Sequence, residues 1–130
     1  MARTLSSLES LNLSRNRLRS LGTSPFYYLI ELEELNLEKN QLTDLDEDVF
    51  ESETYRYETY DDWGDYHYHD SSLKGNLLEL NLGGNRLTAL PGGIFNGFRR
   101  LRTLQLQSNQ LARLPQQLFQ TLGKDSLGVS

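Results

Sequence analysis

The sequence contains no cysteine, so neither disulfide bonds nor thiolate metal sites contribute to its fold or its function. It has no run of about 18 apolar residues, which excludes an encoded transmembrane helix. Its first residues, MARTLSSL, lack the continuous apolar stretch of a secretory signal peptide. What remains is a chain of 130 residues, a length that suits a single domain, 1–130.

Basic residues are scarce in one segment, residues 51–72. The segment contains seven acids and a single base, Arg56, so its formal charge is −6. The formal net charge of the whole chain is −5, so the rest of the chain carries +1. The overall negative charge disfavours nucleic acid and anionic membrane surfaces as partners.

An internal repeat organises the rest of the chain. The pattern Leu-x-Leu-x-x-Asn-x-Leu occurs four times, as LNLSRNRL, LNLEKNQL, LNLGGNRL and LQLQSNQL. In each copy a phenylalanine stands five residues after a further leucine, at Leu21, Leu45, Leu90 and Leu114. The equivalent leucines, asparagines and phenylalanines of successive copies are all spaced by 24, then 45, then 24 residues. The interruption therefore amounts to 21 residues after Phe50. The repeated asparagines are Asn16, Asn40, Asn85 and Asn109, and the phenylalanines are Phe26, Phe50, Phe95 and Phe119.

This pattern predicts how each repeat folds. The Leu-x-Leu alternation has period two, so short strands near 10–14, 34–38, 79–83 and 103–107 should direct their leucines to one face and stack as a parallel sheet. The Leu90-Pro91 and Leu114-Pro115 steps end the strand pattern, and the phenylalanines fill the opposite side of the core. Each asparagine should bond main-chain groups of its own and the neighbouring turn.

The fragments LTALPGGIFNGFRRLRTLQLQSNQL and LARLPQQLF resemble the leucine-rich repeat family, in its 24-residue "typical" class. The resemblance implies an α/β repeat solenoid, a right-handed superhelix with a parallel β-sheet on the concave face. It also implies protein or glycan binding, often in an extracellular setting. The family usually has cysteine-rich caps, which this chain lacks. Leu5 and Leu8 align with Phe98 and Leu101 as the tail of an earlier repeat, and residues 120–130 begin another. We therefore expect a fragment of a longer receptor, an incomplete gene product or an engineered chain.

The interrupting segment, ESETYRYETYDDWGDYHYHDSS, differs from every other part of the sequence. It contains five of the seven tyrosines, the single tryptophan and both histidines. Thr54–Thr59 and Tyr66–Asp70 alternate with period two around the turn sequence Asp62-Trp63-Gly64-Asp65, which is typical of a β-hairpin. Tyr55 and Tyr57 would then share a face, with Tyr66 and Tyr68 opposite them on the partner strand. A disordered acidic loop is the alternative, and the sequence leaves both open.

The composition of this segment favours a protein-binding role. Tyrosine and tryptophan offer a large contact area at a small loss of conformational entropy, and acids attract a basic partner. The contact residues expected from the sequence are Tyr55, Tyr57, Tyr60, Trp63, Tyr66, Tyr68, Asp61, Asp62 and Asp65. The alternative is a structural segment of a larger receptor in which the insertion is a tolerated surface loop. The polar residues along the strands form a second exposed face without aromatic anchors.

Nothing in the sequence indicates catalysis or a cofactor. There is no glycine-rich phosphate loop and no Ser-His-Asp arrangement on rigid elements. His67 and His69 alternate with Asp65, but two histidines without a fixed third ligand are weak evidence, so no metal site is predicted.

Overall fold

The computed structural model describes residues 6–114 and the backbone of 128–129. Leu5, Pro115 and Phe119, and the predicted repeat start at 120–127, lie outside these residues. The elements, in chain order, are β1 (Ser10–Asn12), β2 (Glu34–Asn36), β3 (Tyr55–Tyr60), β4 (Tyr66–Ser71), α1 (Leu73–Asn76), β5 (Glu79–Asn81), β6 (Thr103–Gln105) and β7 (Gly128–Val129).

The repeat strands form one parallel sheet in the order β1-β2-β5-β6-β7. Equivalent leucines lie side by side across it, because Leu35 pairs with Leu11 on one side and with Leu80 on the other. The pairing of β2 with β5 joins residues on either side of the insertion. The 21 extra residues are therefore accommodated outside the sheet without changing its register.

The core lies directly behind the sheet and consists of repeated leucines and phenylalanines. Both leucines of the strand pattern are buried in the second, third and fourth copies, while Leu11 and Leu13 on the first strand are only partly buried. Phe26, Phe50 and Phe95 are buried, as predicted, and the ring of Phe50 meets that of Phe98 edge-on at 5.6 Å. Each repeat therefore buries its leucines against its neighbours, which makes neighbour contact the main apolar source of stability.

Three of the four repeated asparagines connect their own turn to the turn before it, and we call Asn40, Asn85 and Asn109 the asparagine ladder. The amide nitrogen of Asn85 donates to the carbonyl of Leu82 in its own turn and to that of Leu37 in the preceding one, at 3.0 Å each. Its Oδ1 accepts from the amide of Leu42 at 3.1 Å. Asn40 and Asn109 repeat this arrangement. The predicted role of these side chains is confirmed, and it explains how a polar residue that is 6% exposed is tolerated at position 85.

A left-handed residue precedes each of the four repeated asparagines. The φ angles are +58° at Arg15, +56° at Lys39, +66° at Gly84 and +59° at Ser108. Only Gly84 has no Cβ, and so only that position adopts the conformation without steric strain. Just upstream, the side chain of Asn36 accepts from the amide of Glu38 at 2.9 Å, which helps to turn the chain out of β2. Asn12 and Asn81 do the same in their own repeats.

The ladder gives a prediction about stability. Replacing Asn85 with Ala leaves the buried amide of Leu42 without a partner. It also removes one of the two asparagine donors from each of the carbonyls of Leu37 and Leu82, which keep their bonds to Asn40 and Asn109. We therefore expect the free energy of unfolding to fall by about 3 kcal/mol. Urea denaturation followed by circular dichroism measures this change.

Asn16→Ala is the matched control for that experiment. Asn16 is exposed and donates to the carbonyls of Leu13 and Ser14 in its own turn, so its replacement should lower the free energy of unfolding by less than about 1 kcal/mol. Equal effects at the two positions would contradict the ladder as the link between repeats.

Candidate functional site

The inserted segment leaves the repeats through a closed neck. The Ser52 hydroxyl accepts from the amide of Leu73 at 3.0 Å, and the amide of Glu53 donates to the Tyr27 carbonyl at 2.9 Å. On the return side, Ser72 caps α1 through the amide of Gly75, and the side chain of Leu73 is fully buried. The two ends of the insertion are therefore held together and fixed to the first repeat through Tyr27.

Lys74 and Asn76 of α1 add side-chain contacts at the neck. The Lys74 ammonium lies 2.6 Å from a carboxylate oxygen of Glu51. The Asn76 amide donates to the Ile30 carbonyl at 2.6 Å and to the Ser71 hydroxyl at 2.7 Å. These bonds cross from the inserted segment to both flanking parts of the chain, so they give the hairpin a defined point of attachment.

Within the insertion, β3 and β4 form a two-stranded antiparallel hairpin. Its turn is organised by Asp61, whose Oδ1 accepts from the amides of Trp63 and Asp65 at 2.9 Å each. The amide of Gly64 donates to the Asp61 carbonyl, and Gly64 has a φ of +81°. This is a tight turn followed by a left-handed glycine bulge, a three-residue connection that fits twisted strands.

The distribution of side chains over the two hairpin faces differs from the sequence-based prediction. Tyr57 pairs with His69, and Tyr60 pairs with Tyr66. Tyr55 and Tyr57 therefore share their face with His67 and His69, and Tyr66 and Tyr68 lie on the other face with Tyr60. The prediction that Tyr66 and Tyr68 oppose Tyr55 and Tyr57 was wrong, because the bulge at Gly64 shifts the pairing by one residue.

The face that carries Arg56 is connected by polar contacts. Arg56 Nε lies 2.8 Å from Asp70 Oδ1, and its guanidinium stands 4.6 Å from the centre of the Tyr68 ring. The Tyr66 hydroxyl donates to Glu58 at 2.9 Å. The bond from Arg56 holds the pKa of Asp70 below its usual range, and the bond to Glu58 raises the pKa of Tyr66. The only base of the insertion is thus already paired.

The opposite face combines tyrosines and histidines. The Tyr57 ring stacks on that of His69 at 5.0 Å and lies 6.1 Å from that of Tyr55. His69 Nε2 is 3.1 Å from the Thr59 hydroxyl, and His67 Nε2 is 3.0 Å from Asp61 Oδ2. The carboxylate that meets His67 is thus that of Asp61, not Asp65. In residues 6–114 no group of three or more histidine and acidic side chains is arranged to hold a metal ion.

The aromatic side chains of the hairpin are strongly exposed. Trp63 at the tip is 89% exposed and Tyr60 is 69% exposed. Two further exposed tyrosines, Tyr27 and Tyr28, lie in the first repeat and stack edge-on at 5.1 Å. This pair was not predicted from the sequence, although two adjacent tyrosines beside the repeated Phe26 were a signal for it. The bond between Tyr27 and Glu53 places them at the neck, on the side where β3 begins.

The exposed face of the parallel sheet is the other candidate surface. A groove of about 400 Å³ runs across its strands and is lined mainly by polar side chains, among them Asn36, Asn81 and Gln105. The polar groups bond one another between repeats, as when Asn81 donates to Glu38 at 3.3 Å. No aromatic side chain lines this groove, so it lacks the residues that dominate binding energy at protein interfaces.

Comparisons with known proteins fit the repeat architecture. A family model described as leucine rich repeat matches residues 6–54 and 75–124, and the hairpin falls between the two matches. A stretch of 39 residues, 30% of the chain, is 51% identical to human leucine-rich repeat-containing G-protein coupled receptor 5 and covers 4% of that receptor. No helix in the described part of the chain is long and apolar enough to cross a membrane.

The turn geometry predicts how the hairpin responds to pH. The bond to His67, together with the amides of Asp65 and Trp63, holds the pKa of Asp61 below its usual range. A depressed aspartate pKa stabilises the hairpin above the unfolded value of about 3.9, and this contribution disappears as the pH falls through the lower folded pKa. We expect the cross-strand NMR contact between Tyr57 and His69 to be lost in that acidic range.

Asp61→Asn supplies the control at neutral pH. An amide oxygen accepts more weakly than a carboxylate from the two backbone amides, so the variant should already show a weakened Tyr57–His69 contact. A variant as well ordered as the natural chain at neutral pH would show that Asp61 does not organise the turn.

Proposed function

The chain belongs to the leucine-rich repeat family, and from that premise we propose that it is a non-catalytic protein-binding module. Leucine-rich repeat domains generally mediate protein–protein interactions. We further propose a single domain over 1–130, with about four repeats of the 24-residue class. In this proposal the repeats form a right-handed solenoid with the parallel sheet on its concave face, and the hairpin leaves on the convex or descending side.

The exposure of the hairpin aromatics is the observation that carries the proposed function. An isolated patch of this kind is unfavourable in water unless a partner covers it, because large apolar side chains are normally buried. Trp63 at the tip and the tyrosines on both strands are rigid and amphipathic, and such residues dominate binding energy at interfaces. The contact residues of this proposal are Trp63, Tyr55, Tyr57, Tyr60, Tyr66 and Tyr68.

The acids of the hairpin have two different roles in this proposal. Asp61 is used inside the turn, where its Oδ1 accepts from the amide of Trp63 and so positions that residue. Asp62 and Asp65 form no ion pair with another described residue, so their charges act on the surroundings. They raise the association rate of a basic protein and disfavour nucleic acid.

The alternative function is a structural segment of a larger receptor with a tolerated surface loop. The 51% identity to part of a human receptor supports a receptor context and an extracellular location for either proposal. The ordered turn and closed neck favour the binding proposal, because a loop that is merely tolerated needs neither a specific turn nor a fixed attachment.

The central experiment compares the intact chain with a variant that lacks residues 52–72. Removal of these 21 residues restores the 24-residue spacing between Leu35 and Leu80. Both proteins are screened by surface plasmon resonance against a panel of purified extracellular proteins, with circular dichroism to verify that each is folded. We expect a partner that binds the intact chain and loses its affinity for the shortened one. A partner that binds both equally would assign recognition to the sheet.

Trp63→Ala refines this test without disturbing the fold, because the side chain is exposed. A residue at the tip that anchors an interface should weaken binding by about tenfold or more when truncated. Trp63→Phe keeps an aromatic ring and should retain most of the affinity. Equal affinity in all three proteins would exclude Trp63 as an anchor.

The charge proposal predicts a salt-dependent association rate. Asp62→Asn should lower the association rate with a basic partner severalfold at low ionic strength. The difference should vanish near 1 M salt, where the Debye length is about 3 Å. Glu9→Gln removes one exposed acid next to β1 and is the matched control. Identical effects of the two variants would assign steering to the net charge rather than to the hairpin.

A further inference from the structure

We propose that the outer edge of β3 binds an extended basic segment of the partner protein as a third strand of the hairpin sheet. This inference rests on the proposed function and deepens it by naming the element of the hairpin that pairs and the chemistry of the segment it accepts. A two-stranded sheet is only marginally stable in water, and a third strand satisfies the main-chain groups that the hairpin leaves open.

The turn determines which main-chain groups face outward. The amide of Asp61 donates to the Asp65 carbonyl at 3.0 Å, so this pair points its groups inward between the strands. Hydrogen-bonded and non-hydrogen-bonded pairs alternate along an antiparallel hairpin. The amides and carbonyls of Arg56, Glu58 and Tyr60 therefore face away from β4 and form a row along the β3 edge.

Two observations favour the β3 edge over the β4 edge. Among the described helices and strands, α1 contacts β4, whereas β3 contacts only β4. The positive charge of Arg99 acts on Asp70 at the base of β4, which disfavours a basic segment there. Beyond the start of β3, the exposed rings of Tyr27 and Tyr28 lie at the neck and would extend the contact.

The β3 edge also lacks the features that usually prevent such pairing. Natural edge strands are commonly shortened, bulged, or protected by proline or lysine. β3 has six residues in continuous register with β4, from Tyr55 to Tyr60, and contains neither proline nor lysine. Its one base, Arg56, is neutralised by Asp70. The edge is therefore long and open enough to accept a strand.

The charge of the insertion identifies the class of occupant. A second copy of this chain would bring another segment of charge −6 to the same edge, so self-pairing is opposed by repulsion. A basic segment is attracted instead. Side chains of an added strand alternate between faces, so bases would lie beside Glu58 while apolar residues cover Tyr55 and Tyr57.

The test uses the intact chain and a synthetic eight-residue peptide in which valine and lysine alternate. Amide hydrogen exchange is followed by NMR with and without the peptide. We expect exchange to slow by about tenfold at Glu58 and Tyr60, because their amides become donors to the added strand. The amides of Tyr68 and Asp70 on the other edge should be unaffected. Protection of the β4 amides instead would overturn the assignment of the edge.

The same peptide methylated at alternate backbone nitrogens keeps the charges and side chains but cannot pair along one edge. It should bind at least about tenfold more weakly. Equal binding of the two peptides, without amide protection, would overturn strand addition. If that binding is still lost in the chain without residues 52–72, the hairpin remains the contact element and only the present inference fails.

Protein variants provide an independent arm. Glu58→Pro removes one outward amide, and an edge strand tolerates this substitution. Glu58→Ala removes the same side chain but keeps the amide. We expect the proline variant to bind the basic peptide about tenfold more weakly than the alanine variant. Tyr68→Pro and Tyr68→Ala form the same pair on the other edge and should not differ from each other. The Tyr57–His69 contact verifies the hairpin in each variant. Absence of any binding of the basic peptide to the intact chain would overturn the inference, while the Trp63 variants judge the proposed function separately.

Discussion

The hydrogen bonds of the asparagine ladder are the constraint on which the rest of the structure depends. A chain that turns out of a three-residue strand leaves carbonyls and amides in the interior, and each of these groups needs a partner. Asn40, Asn85 and Asn109 supply it, and they do so across the boundary between repeats. The leucines contribute apolar burial, but leucines alone do not fix how far one repeat is displaced from the next. The side-chain amides of the ladder help to fix it, together with the main-chain bonds between strands and turns, because each amide reaches two specific carbonyls at once.

The separate contributions of the leucines and the asparagines explain why a long insertion is tolerated. Asn85 bonds to Leu37, which lies 48 positions earlier in the chain. The bonds of the asparagine ladder therefore do not depend on the length or the sequence of the segment between the two repeats. The insertion lies between Phe50 and Leu73, and both of these side chains are buried in the core. Both junctions are therefore anchored by buried side chains, and the segment between them is free to serve another purpose.

The sequence was sufficient to predict the features that depend on period and composition. The leucine alternation predicted the parallel strands, and the asparagine column predicted the bonds between turns. The faces of the hairpin could not be derived in this way, because they depend on the length of its connection. A turn read at Asp62–Asp65 pairs Asp61 with Tyr66, whereas the bulge at Gly64 pairs Asp61 with Asp65. This difference of one residue moves Tyr66 and Tyr68 to the opposite face. Tyr27 and Tyr28 were missed because their place at the neck depends on a main-chain bond to Glu53, which no side-chain pattern encodes.

The closed neck gives the molecule a modular junction. Ser52, Ser72 and Leu73 join the inserted segment to the repeats through a hydroxyl, a helix cap and one buried side chain. Among the neck contacts described above, only the bond from Asn76 to Ser71 involves a residue of the hairpin strands. The hairpin, which we propose as the binding element, and the repeats that carry it are thus encoded by separate stretches of sequence. Changes between Thr54 and Asp70 can alter the exposed surface of the hairpin while the asparagine ladder and the leucine core keep the same sequence. The junction therefore separates the inserted segment from the repeats, so that a segment of different composition can replace it while the repeats stay unchanged.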